Sequence, residues 1–429
     1  MLSWRATPAT PSRCSVRQSG GGQPPPLPPA FPPRRPDPEA HTRVLTFAHD
    51  TYGLGHLRRT NNLARAIVDT EPDATVLCVT GSPQPDLFAP PPGVDFLRLP
   101  GLTKDRSGAY VPRQLSLSTS DVVRMRASLI QTVARDYRPD VIVVDHTPTG
   151  VGGELLPMLE EQRRSGRARL VLGMRDVVDE PFAARRELAR DQTRYALEQL
   201  YDRVVVYGHP HICDVSLEYG LGSAISHKLR YVGVACTPLT PSASDTGSDQ
   251  ITVCVGGGED GRPTMEAVLD WLASDAAAAT RATMVTGPLM SRSDRDSITR
   301  RAYDLGVRIM ARAANLTGLF RASGTIVGMG GYNTVYESLA LRKRVVVIPR
   351  IHPRREQWDR ARRLRDLDLL ELVEPDDLDK PGVIGEAVQV AEDRAPIDPA
   401  DVGLRFDGAR VAAMSLLREA SGHRLALAS

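Results

Sequence analysis

Short apolar runs alternate with amphipathic stretches through the first half of the chain. From Arg43 an apolar run leads into the glycine turn T-Y-G-L-G-H and then into the helical pattern N-N-L-A-R-A-I-V. Apolar runs of this length predict buried strands, and apolar positions three or four residues apart predict helices packed on them. The alternation predicts a mostly parallel sheet covered on both faces. Further strands are predicted at 74–79, 94–99, 141–145, 170–174 and 203–207, and helices at 120–136, 152–164 and 182–201.

A second alternation of the same kind begins near residue 250. It predicts another parallel sheet with helices on both faces. A last helix, around 408–420, follows a proline-spaced connection, and we expect it to pack back across the first domain. Strands of the second half are predicted at 251–255, 283–286, 307–310, 325–329, 345–349 and 371–373, and helices at 264–274, 293–304, 333–340 and 354–365.

Composition shifts divide the chain into domains. Residues 1–41 hold eleven of the 34 prolines, so this Pro/Arg-rich tail is expected to be disordered. Residues 237–249 are rich in Pro, Ser, Thr and Gly, which is typical of an interdomain linker. We therefore predict an α/β protein of two doubly wound Rossmann-like domains that face each other across a cleft. The domains are placed at 42–236 and 250–398, followed by a C-terminal helix and tail at 399–429.

Composition and charge narrow the class of protein. A chain of 429 residues with 41% hydrophobic content can bury at least two cores. The net charge of +2 gives no general reason to expect a nucleic-acid partner. Only four of the 54 basic residues are lysines, a bias typical of GC-rich bacterial genomes. No apolar run approaches the roughly 18–20 residues that span a bilayer.

The five cysteines are scattered and show no C-x-x-C spacing. This pattern predicts neither a disulfide framework nor a zinc site. It favours a reducing compartment, so we expect a cytoplasmic protein. Peripheral contact with the inner face of a membrane stays open.

The most informative stretch is 328–357, in which a strand, a glycine turn, a helix, a second strand and a basic loop follow one another. Gly330 and Gly331 leave the helix N-terminus open, and unpaired N–H groups with the helix dipole there form an anion site. Glu337 lies nearly two turns into the helix, where its carboxylate can accept hydrogen bonds from a sugar diol. The alternative is an exposed acid that pairs with Arg342 or Arg344. Beyond the next strand lie His352, Arg355 and Gln357.

The first glycine turn contains Gly53 and Gly55 and presents His56 at a helix N-terminus. A neutral imidazole there can take a proton from an attacking hydroxyl, because its pKa lies near neutral pH. The alternative is a structural or capping histidine. Arg58 and Arg59 follow, either to contact an anionic group or as a solvated helix face.

Polar residues also end two later strands. Asp145 and His146 end a buried strand, a position that faces the ligand in doubly wound sheets. Asp145 is expected to orient a catalytic group and His146 to bind acceptor, with helix capping as the alternative for Asp145. Arg175 and Asp176 end the next strand, and the same reasoning applies to them with less weight.

The second half opens on another glycine turn, made of Gly256, Gly257 and Gly258. Consecutive glycines let backbone amides approach a diphosphate without obstruction by side chains. Glu259 and Asp260 follow directly, and they suit a phosphate site only if they point away from it. No D-x-D motif ends a strand, which disfavours a magnesium-dependent transferase of a different architecture, and no metal site is predicted.

Two segments resemble the GT-B glycosyltransferases of glycosyltransferase family 28, the group related to MurG. D-T-Y-G-L-G-H resembles the family's first glycine loop, whose histidine maps to His56. G-G-Y-N-T-V-Y-E through I-P-R-I-H-P-R-R-E-Q resembles its donor motif, and the whole resemblance covers roughly 43–370. A branch of predicted glycosyltransferases with the signature D-T-Y-G-L-G-H-x-R-R is more similar still. Gly258-Glu259-Asp260 and Gly233-Val234-Ala235-Cys236 depart from the family pattern, which affects diphosphate handling and donor identity.

The resemblance implies roles for individual residues. Thr334 would lie near the donor phosphate or ribose, Glu337 would bind the ribose hydroxyls, and Gln357 would contact the donor sugar or ribose. Backbone near 307–310 would contact the base. The predicted catalytic residues are His56 and Asp145; the donor-binding residues are Gly256, Gly257, Gly258, Met310, Gly330, Gly331, Asn333, Thr334, Glu337, His352, Arg355 and Gln357; the acceptor-side residues are Gly53, Gly55, Arg59 and His146.

The implied activity is inverting, metal-independent transfer of a sugar from a nucleotide-diphosphate sugar to a hydroxyl acceptor. The favoured donor is a UDP-sugar. Domain 42–236 would bind the acceptor and domain 250–398 the donor, with no further cofactor. The alternatives are a nucleotide-sugar hydrolase of the same fold and a non-catalytic nucleotide-sugar binding protein. An oxidoreductase is disfavoured, because the second strand ends in Thr80-Gly81-Ser82 without the acid that holds a dinucleotide's ribose.

Overall fold

The computed structural model describes residues 41–49, 55–85, 89–105, 109–237, 239, 241–242, 249–278, 280–313, 315–352, 354–395 and 397–428. The expectations for residues 1–40, for Gly53 and for most of the linker lie outside these residues.

The first half forms a seven-stranded parallel sheet and a separate two-stranded antiparallel hairpin. The strands are Arg43–Ala48 (β1), Thr75–Thr80 (β2), Val94–Arg98 (β3), Leu102–Lys104 (β4), Tyr110–Pro112 (β5), Val141–Asp145 (β6), Arg169–Arg175 (β7), Arg203–Tyr207 (β8) and Leu229–Tyr231 (β9). The sheet order is β3-β2-β1-β6-β7-β8-β9, and β4 pairs with β5. The strand order therefore reverses between β1 and β6, where doubly wound sheets bind their ligands.

The predicted helices of the first half are all found, with two differences. Helix 152–164 begins only at Leu156, because Gly150 and Gly153 adopt positive φ in the turn before it. Helix 182–201 is interrupted after Leu188 and resumes at Asp191, with a wider π-helical turn at Ala196–Leu200. The helices are Gly55–Thr70 (α1), Thr119–Tyr137 (α2), Leu156–Ser165 (α3), Pro181–Leu188 (α4), Asp191–Tyr195 (α5), Val215–Glu218 (α6) and Ser223–Ser226 (α7).

The second half forms a six-stranded parallel sheet. Its strands are Gln250–Cys254 (β10), Arg281–Val285 (β11), Arg308–Met310 (β12), Thr325–Gly328 (β13), Arg344–Val347 (β14) and Glu371–Leu372 (β15), in the order β12-β11-β10-β13-β14-β15. Its helices are Arg262–Leu272 (α8), Arg292–Asp304 (α9), Leu316–Ala322 (α10), Tyr332–Ala340 (α11), Glu356–Arg365 (α12) and Val383–Asp393 (α13), followed by Gly408–Ala428 (α14). The fold is therefore the predicted pair of doubly wound units.

Both faces of the first sheet are buried, as its apolar strands predict. Val44 packs in a core that includes α1 and α14, whereas Leu45 and Phe47, on the opposite face, pack in a core that includes α2 and α3. The first of these cores continues into α11 and α12 of the second half. One apolar core thus joins the two halves.

The C-terminal helix α14 packs along α1, so the expectation that the last helix crosses back to the first domain is confirmed. The N–H of Gly408 donates to the carbonyl oxygen of Val234 (3.0 Å), which fixes the start of the helix. Near the middle of the helix, Glu419 accepts a hydrogen bond from Arg203 Nε (2.7 Å) at the start of β8. Across the residues that the structure describes, no helix combines the length and apolarity needed to cross a membrane.

A fully buried polar network also joins the two halves. Asp176, just after β7, accepts hydrogen bonds from Arg360 Nη2 (3.1 Å) on α12 and from the hydroxyl of Tyr336 on α11. Arg360 donates further to the carbonyl oxygens of Gly330 (3.1 Å) and Val177 (3.2 Å). Its charge is therefore compensated by one carboxylate and spread over two carbonyls, the condition under which a buried ion pair is tolerated.

Replacing Asp176 by alanine is expected to lower the free energy of unfolding by about 3–5 kcal/mol, because it leaves the buried Arg360 without a counter-charge. Urea unfolding measures this loss. The control is Asp270→Ala, which breaks an exposed pair with Arg301 and is expected to change stability by less than about 1 kcal/mol. Equal effects of the two substitutions would show that the Asp176 network does not tie the halves together.

Candidate functional site

The carboxyl edge of the first sheet brings four polar side chains together at the switch point. His49 follows β1, and His56 lies in the first turn of α1. Asp145 ends β6 and His146 follows it. Ala48 and Asp145 are register partners in the sheet, so the loops that leave β1 and β6 start side by side. Adjacent strand ends, rather than nearness in sequence, assemble this cluster.

His56 and Asp145 form a hydrogen-bonded pair, with 2.6 Å between His56 Nδ1 and Asp145 Oδ2. Arg59, one turn further along α1, donates to both oxygens of the same carboxylate, from Nε to Oδ1 (2.8 Å) and from Nη2 to Oδ2 (2.6 Å). An ionised carboxylate only accepts hydrogen bonds, so His56 Nδ1 carries the proton. Nε2 of His56 then carries the lone pair, and no described residue bonds to it.

Burial and charge set the protonation states of this group. Burial lowers the pKa of His56 to about 4, against the opposing effect of Asp145. Burial would raise the pKa of Asp145, but the charge of Arg59 and the bond to His56 outweigh it and hold that pKa well below its usual range. At neutral pH the group is therefore a neutral imidazole held by a carboxylate and a guanidinium. This is the arrangement of an oriented general base.

The three histidine rings His49, His56 and His146 lie close together, with centroids 4.5 Å apart for the first pair and 5.2 Å for the last. Burial lowers the pKa of His49 and of His146 as well. His49 Nδ1 is 3.2 Å from the hydroxyl of Thr147. Within the part of the chain that the structure describes, no group of three or more His, Cys, Asp or Glu side chains is arranged to hold a metal ion.

The lowered pKa of His56 predicts acid sensitivity of the fold. The unfolded chain takes up a proton near pH 6.5 and the folded chain only near pH 4, so stability falls as the pH drops through this interval. From these two values, His56 alone is expected to cost about 2 kcal/mol of stability at pH 5 relative to neutral pH. Urea unfolding of the wild type and of His56→Gln at pH 7.5 and pH 5.0 measures this cost.

The glutamine variant serves as the control, because it retains a polar side chain that does not titrate. Its loss of stability between the two pH values is expected to be smaller than that of the wild type by about 2 kcal/mol. An identical loss in both proteins would show that His56 titrates near its ordinary pKa and is not desolvated.

The N-terminus of α11 meets the N-terminus of α1 across the two halves. Asn333 Nδ2 donates to the carbonyl oxygen of Gly55 (3.3 Å), and Gly331 begins α11 without a side-chain cap. Gly330 adopts φ +82°, and a Cβ there would lie 2.9 Å from a methyl group of Val347. Two helix N-termini thus approach one another beside His56, which favours an anion between them.

Glu337 is fully buried, so the alternative of a solvent-exposed acid is excluded. One carboxylate oxygen accepts from Arg58 of α1, and the other accepts from the hydroxyl of Thr237 (2.9 Å). The pairing with Arg342 or Arg344 that belonged to this alternative does not form, since Glu337 pairs with Arg58 and Arg342 with Asp398. Burial raises the pKa of Glu337 in spite of Arg58. A ribose diol could bind this carboxylate only by displacing its present partners.

The glycine loop of the second half packs tightly on its neighbours. Gly256 and Gly258 adopt positive φ, and a Cβ on Gly258 would lie 2.1 Å from the carbonyl oxygen of Thr286. The carbonyl of Gly257 accepts from the N–H of Leu289 (2.8 Å). Asp260, which suits a phosphate site only if it points away from the phosphate, forms an ion pair with Arg350 (2.5 Å).

The remaining donor-side predictions lie around these loops. Thr334 is buried and hydrogen-bonds to the thiol of Cys254, and the carbonyl of Met310 accepts from Thr286 N–H (3.0 Å). Gln357 Oε1 accepts from the backbone N–H of Arg350 (3.2 Å).

His352 and Arg355 are both exposed. Arg355 stacks on Trp358, with its guanidinium carbon 4.5 Å from the ring centroid, and its backbone N–H donates to Asp179 Oδ1 (3.0 Å). The guanidinium of Arg355 therefore contacts an aromatic ring. His352 is not drawn into the buried network of Arg59, Asp145 and His56.

His49 and the pairing of Arg58 with Glu337 were not predicted from the sequence. His49 directly follows β1, so the rule that singled out the residues after β6 would have found it. No sequence signal identifies the Arg58–Glu337 pair, because its members are 279 positions apart and meet only where the halves pack.

A groove with a volume of about 590 Å³ lies beside α14, and its lining includes Arg169, Arg410 and Arg418. None of the predicted site residues lines it. The candidate site is instead the buried junction of α1, β6 and α11.

Comparisons with known proteins place the fold. Neither protein-family models nor curated proteins give a match. Among solved structures, MurG of Acinetobacter baumannii matches with a TM-score of 0.56 at 11% identity, over 88% of this chain and 99% of that chain. A UGT transferase of Siraitia grosvenorii in complex with UDP matches with a TM-score of 0.56 at 13% identity, over 89% and 100%.

A protein of Listeria monocytogenes described as a UDP-N-acetylglucosamine 2-epimerase matches with a TM-score of 0.57 at 13% identity, over 90% of this chain and 97% of that chain. At these identities the likeness shows the fold. The chain has the GT-B fold of the glycosyltransferases, as the sequence resemblance implied.

Proposed function

We propose that the protein is a glycosyltransferase that moves a sugar from a nucleotide-diphosphate sugar to a hydroxyl acceptor. The favoured donor is a UDP-sugar. The observation that carries the proposal is the oriented His56–Asp145 pair beside the uncapped N-terminus of α11. A general base and an anion site on opposite sides of one junction are what transfer from a diphosphate leaving group requires. The fold shared with a UDP-bound UGT transferase supports the same class of donor.

In the proposed reaction, Nε2 of His56 removes the proton from the acceptor hydroxyl. The freed electron pair of that oxygen attacks the anomeric carbon, and the bond from this carbon to the diphosphate oxygen breaks. Attack opposite the leaving group inverts the anomeric configuration. Asp145 and the bond to Nδ1 hold the tautomer and stabilise the imidazolium that forms.

The donor half of the proposal rests on α11. All nine of its residues are buried, and its N–H groups at Gly331–Asn333 have no side-chain cap, so they can stabilise the departing diphosphate without a metal ion. Thr334, Gln357 and the loop of Gly256–Gly258 are proposed to contact the donor around this point. The proposed reducing, cytoplasmic location is supported by Cys78, Cys213, Cys236 and Cys254, which are free and buried.

The proposal is tested first by binding. A thermal-shift screen compares nucleoside diphosphates, nucleotide sugars and NADH, because a ligand that binds only the folded state raises its stability by about 2.7 kcal/mol at 100 times its Kd. UDP or a UDP-sugar is expected to raise the melting temperature, and uridine is the matched control. No shift with any nucleotide diphosphate would refute the proposal, and a shift with NADH alone would favour an oxidoreductase.

The hydrolase alternative is tested by product analysis. The similar structure described as an epimerase indicates that one fold can host different reactions of nucleotide sugars. The fold by itself therefore does not exclude attack by water on the donor. A hydrolase would release free sugar in the absence of acceptor as fast as the enzyme forms glycoside in its presence. For a transferase, we expect hydrolysis without acceptor to be slow.

A further inference from the structure

Arg175 is the last residue of β7, at the same sheet edge as the histidine cluster. Its Nη2 donates to His146 Nε2 (3.3 Å), and its charge adds to the burial that lowers the pKa of His49, His56 and His146. The guanidinium therefore lies within electrostatic reach of the proposed base.

Arg175 lacks a carboxylate partner among the described residues. Nη2 is bonded to a neutral imidazole, and Nε is buried with no hydrogen-bond partner. Its neighbours at the junction of the halves are paired: Arg58 with Glu337, Arg59 with Asp145, Arg350 with Asp260, Arg354 with Glu187 and Arg360 with Asp176.

The surroundings of Arg175 disfavour an uncompensated cation. Burial and the charges of Arg59, Arg360 and Arg354 lower the pKa of Arg175 to about 10, and Glu356 is the acid that opposes them. Oε1 of Glu356 accepts from Arg350 (2.9 Å), Oε2 is buried without a hydrogen-bond partner, and neither oxygen lies within 4.0 Å of the Arg175 guanidinium among the described ion pairs. Arg175 is half-buried, and a positive charge withdrawn this far from solvent normally has a counter-charge, so the position suits a negative charge supplied by a ligand.

His146 carries a second irregularity. It adopts φ +69°, which costs a non-glycine residue on the order of 1–3 kcal/mol and is typical of functional sites. Because Arg175 donates to Nε2, the ring proton lies on Nδ1, which is buried without a partner. The backbone N–H of His146 is held by the carbonyl of Gly173 (2.7 Å). Two neighbouring side chains thus keep unused donors.

We propose that the acceptor carries an anionic group, a carboxylate or a phosphate, a few bonds from its attacking hydroxyl, and that Arg175 binds this group. This inference rests on the proposed function. The hydroxyl would lie at His56, whose ring is 5.2 Å from that of His146, and the anion would lie on the far side of His146. The acceptor would then be a hydroxy acid or a phosphorylated alcohol rather than a neutral alcohol.

The anion is assigned to the acceptor and not to the donor because of where Arg175 lies. It belongs to the first sheet, with His146 and His56, whereas the proposed diphosphate site is the N-terminus of α11. The donor diphosphate and an acidic acceptor are both anionic, and Arg175 could bind either. The experiments below are therefore designed to distinguish these two ligands.

The kinetic test uses hydroxyl acceptors in matched pairs, each acid with its methyl ester and each sugar phosphate with its free sugar. The wild type is expected to prefer the charged member by about 10- to 100-fold in kcat/KM, the effect of one charge-assisted hydrogen bond. Arg175→Met should abolish this preference and leave the KM for the donor unchanged, and Arg175→Lys should restore part of it. Arg65→Met removes an exposed arginine of the same domain and is the matched control.

The binding test does not need turnover. Inorganic phosphate is titrated against the wild type, Arg175→Met and Arg65→Met in the presence of saturating UDP, which fills the diphosphate site. Phosphate is expected to raise the melting temperature of the wild type and of Arg65→Met but not of Arg175→Met.

Two results would overturn the inference. One is equal use of charged and neutral acceptors by the wild type. The other is a loss of UDP affinity in Arg175→Met with the acceptor preference intact, which would assign Arg175 to the donor diphosphate. If no acceptor is glycosylated, the proposed function fails, whereas the phosphate titration still decides whether Arg175 binds an anion.

Discussion

Replacing His56 by alanine is expected to lower kcat for sugar transfer by about 10²–10⁴-fold, the usual contribution of a general base. The variant would have no positioned group to accept the proton of the acceptor hydroxyl, because Nε2 of His56 is the proposed proton acceptor. The loss should appear in kcat and in kcat/KM alike, with little change in donor affinity. Steady-state kinetics at saturating donor measures it.

The alanine variant is expected to remain folded, because Asp145 keeps both of its hydrogen bonds to Arg59. His227→Ala is the matched control, since His227 is exposed and its ring Nδ1 bonds within its own turn of helix (2.8 Å to Ser223 O). His56→Gln should be as inactive as His56→Ala, because an amide does not take up a proton. A fall in kcat of less than tenfold in both variants would exclude His56 as the base.

Replacing Glu337 by alanine is expected to weaken UDP binding by about 10- to 100-fold and to lower the free energy of unfolding by about 3–5 kcal/mol. The stability loss arises because Arg58, at the junction of the halves, loses its buried counter-charge. The binding loss arises if the ribose hydroxyls bond to this carboxylate, as the sequence resemblance implies. Isothermal calorimetry with UDP and urea unfolding measure the two effects separately.

The two roles of Glu337 make different demands on Arg58. If the ribose displaces Arg58, Arg58→Met should destabilise the free protein while leaving UDP affinity equal or higher. Glu386→Ala, an exposed acid of the same half, is the control and should change neither quantity. A Glu337→Ala protein that loses stability but binds UDP like the wild type would show that Glu337 is a tie between the halves and not a donor ligand.

The fold could be predicted from the sequence because its strands are short apolar runs buried on both faces. Val141–Asp145 is observed at its predicted limits, and the other predicted strands of both sheets are found within two residues of theirs at each end. The hairpin of β4 and β5 was not predicted, because its strands have three residues each and lie outside the main sheet. Helices α6, α7, α10 and α13 and the short strand β9 were not predicted either.

The candidate site could be predicted only in part. Strand-end reasoning singled out Asp145 and a glycine turn singled out His56, and the structure brings these two together at 2.6 Å. The same reasoning gave Arg175 little weight, since nothing in the sequence shows that it lacks an acidic partner. The burial of Glu337 could not be predicted either. The position of a residue in a helix shows which other residues share its face, but it does not show which distant helix packs against that face.

The central claim is tested most directly by the products formed from a UDP-sugar that binds. Proton NMR follows the anomeric signals while the protein is incubated with this donor, with and without an acidic hydroxyl acceptor. We predict a glycoside whose anomeric configuration is opposite to that of the donor, formed much faster than free sugar and lost in His56→Ala. Free sugar released without acceptor at the same rate, or a glycoside with retained configuration, would contradict the claim.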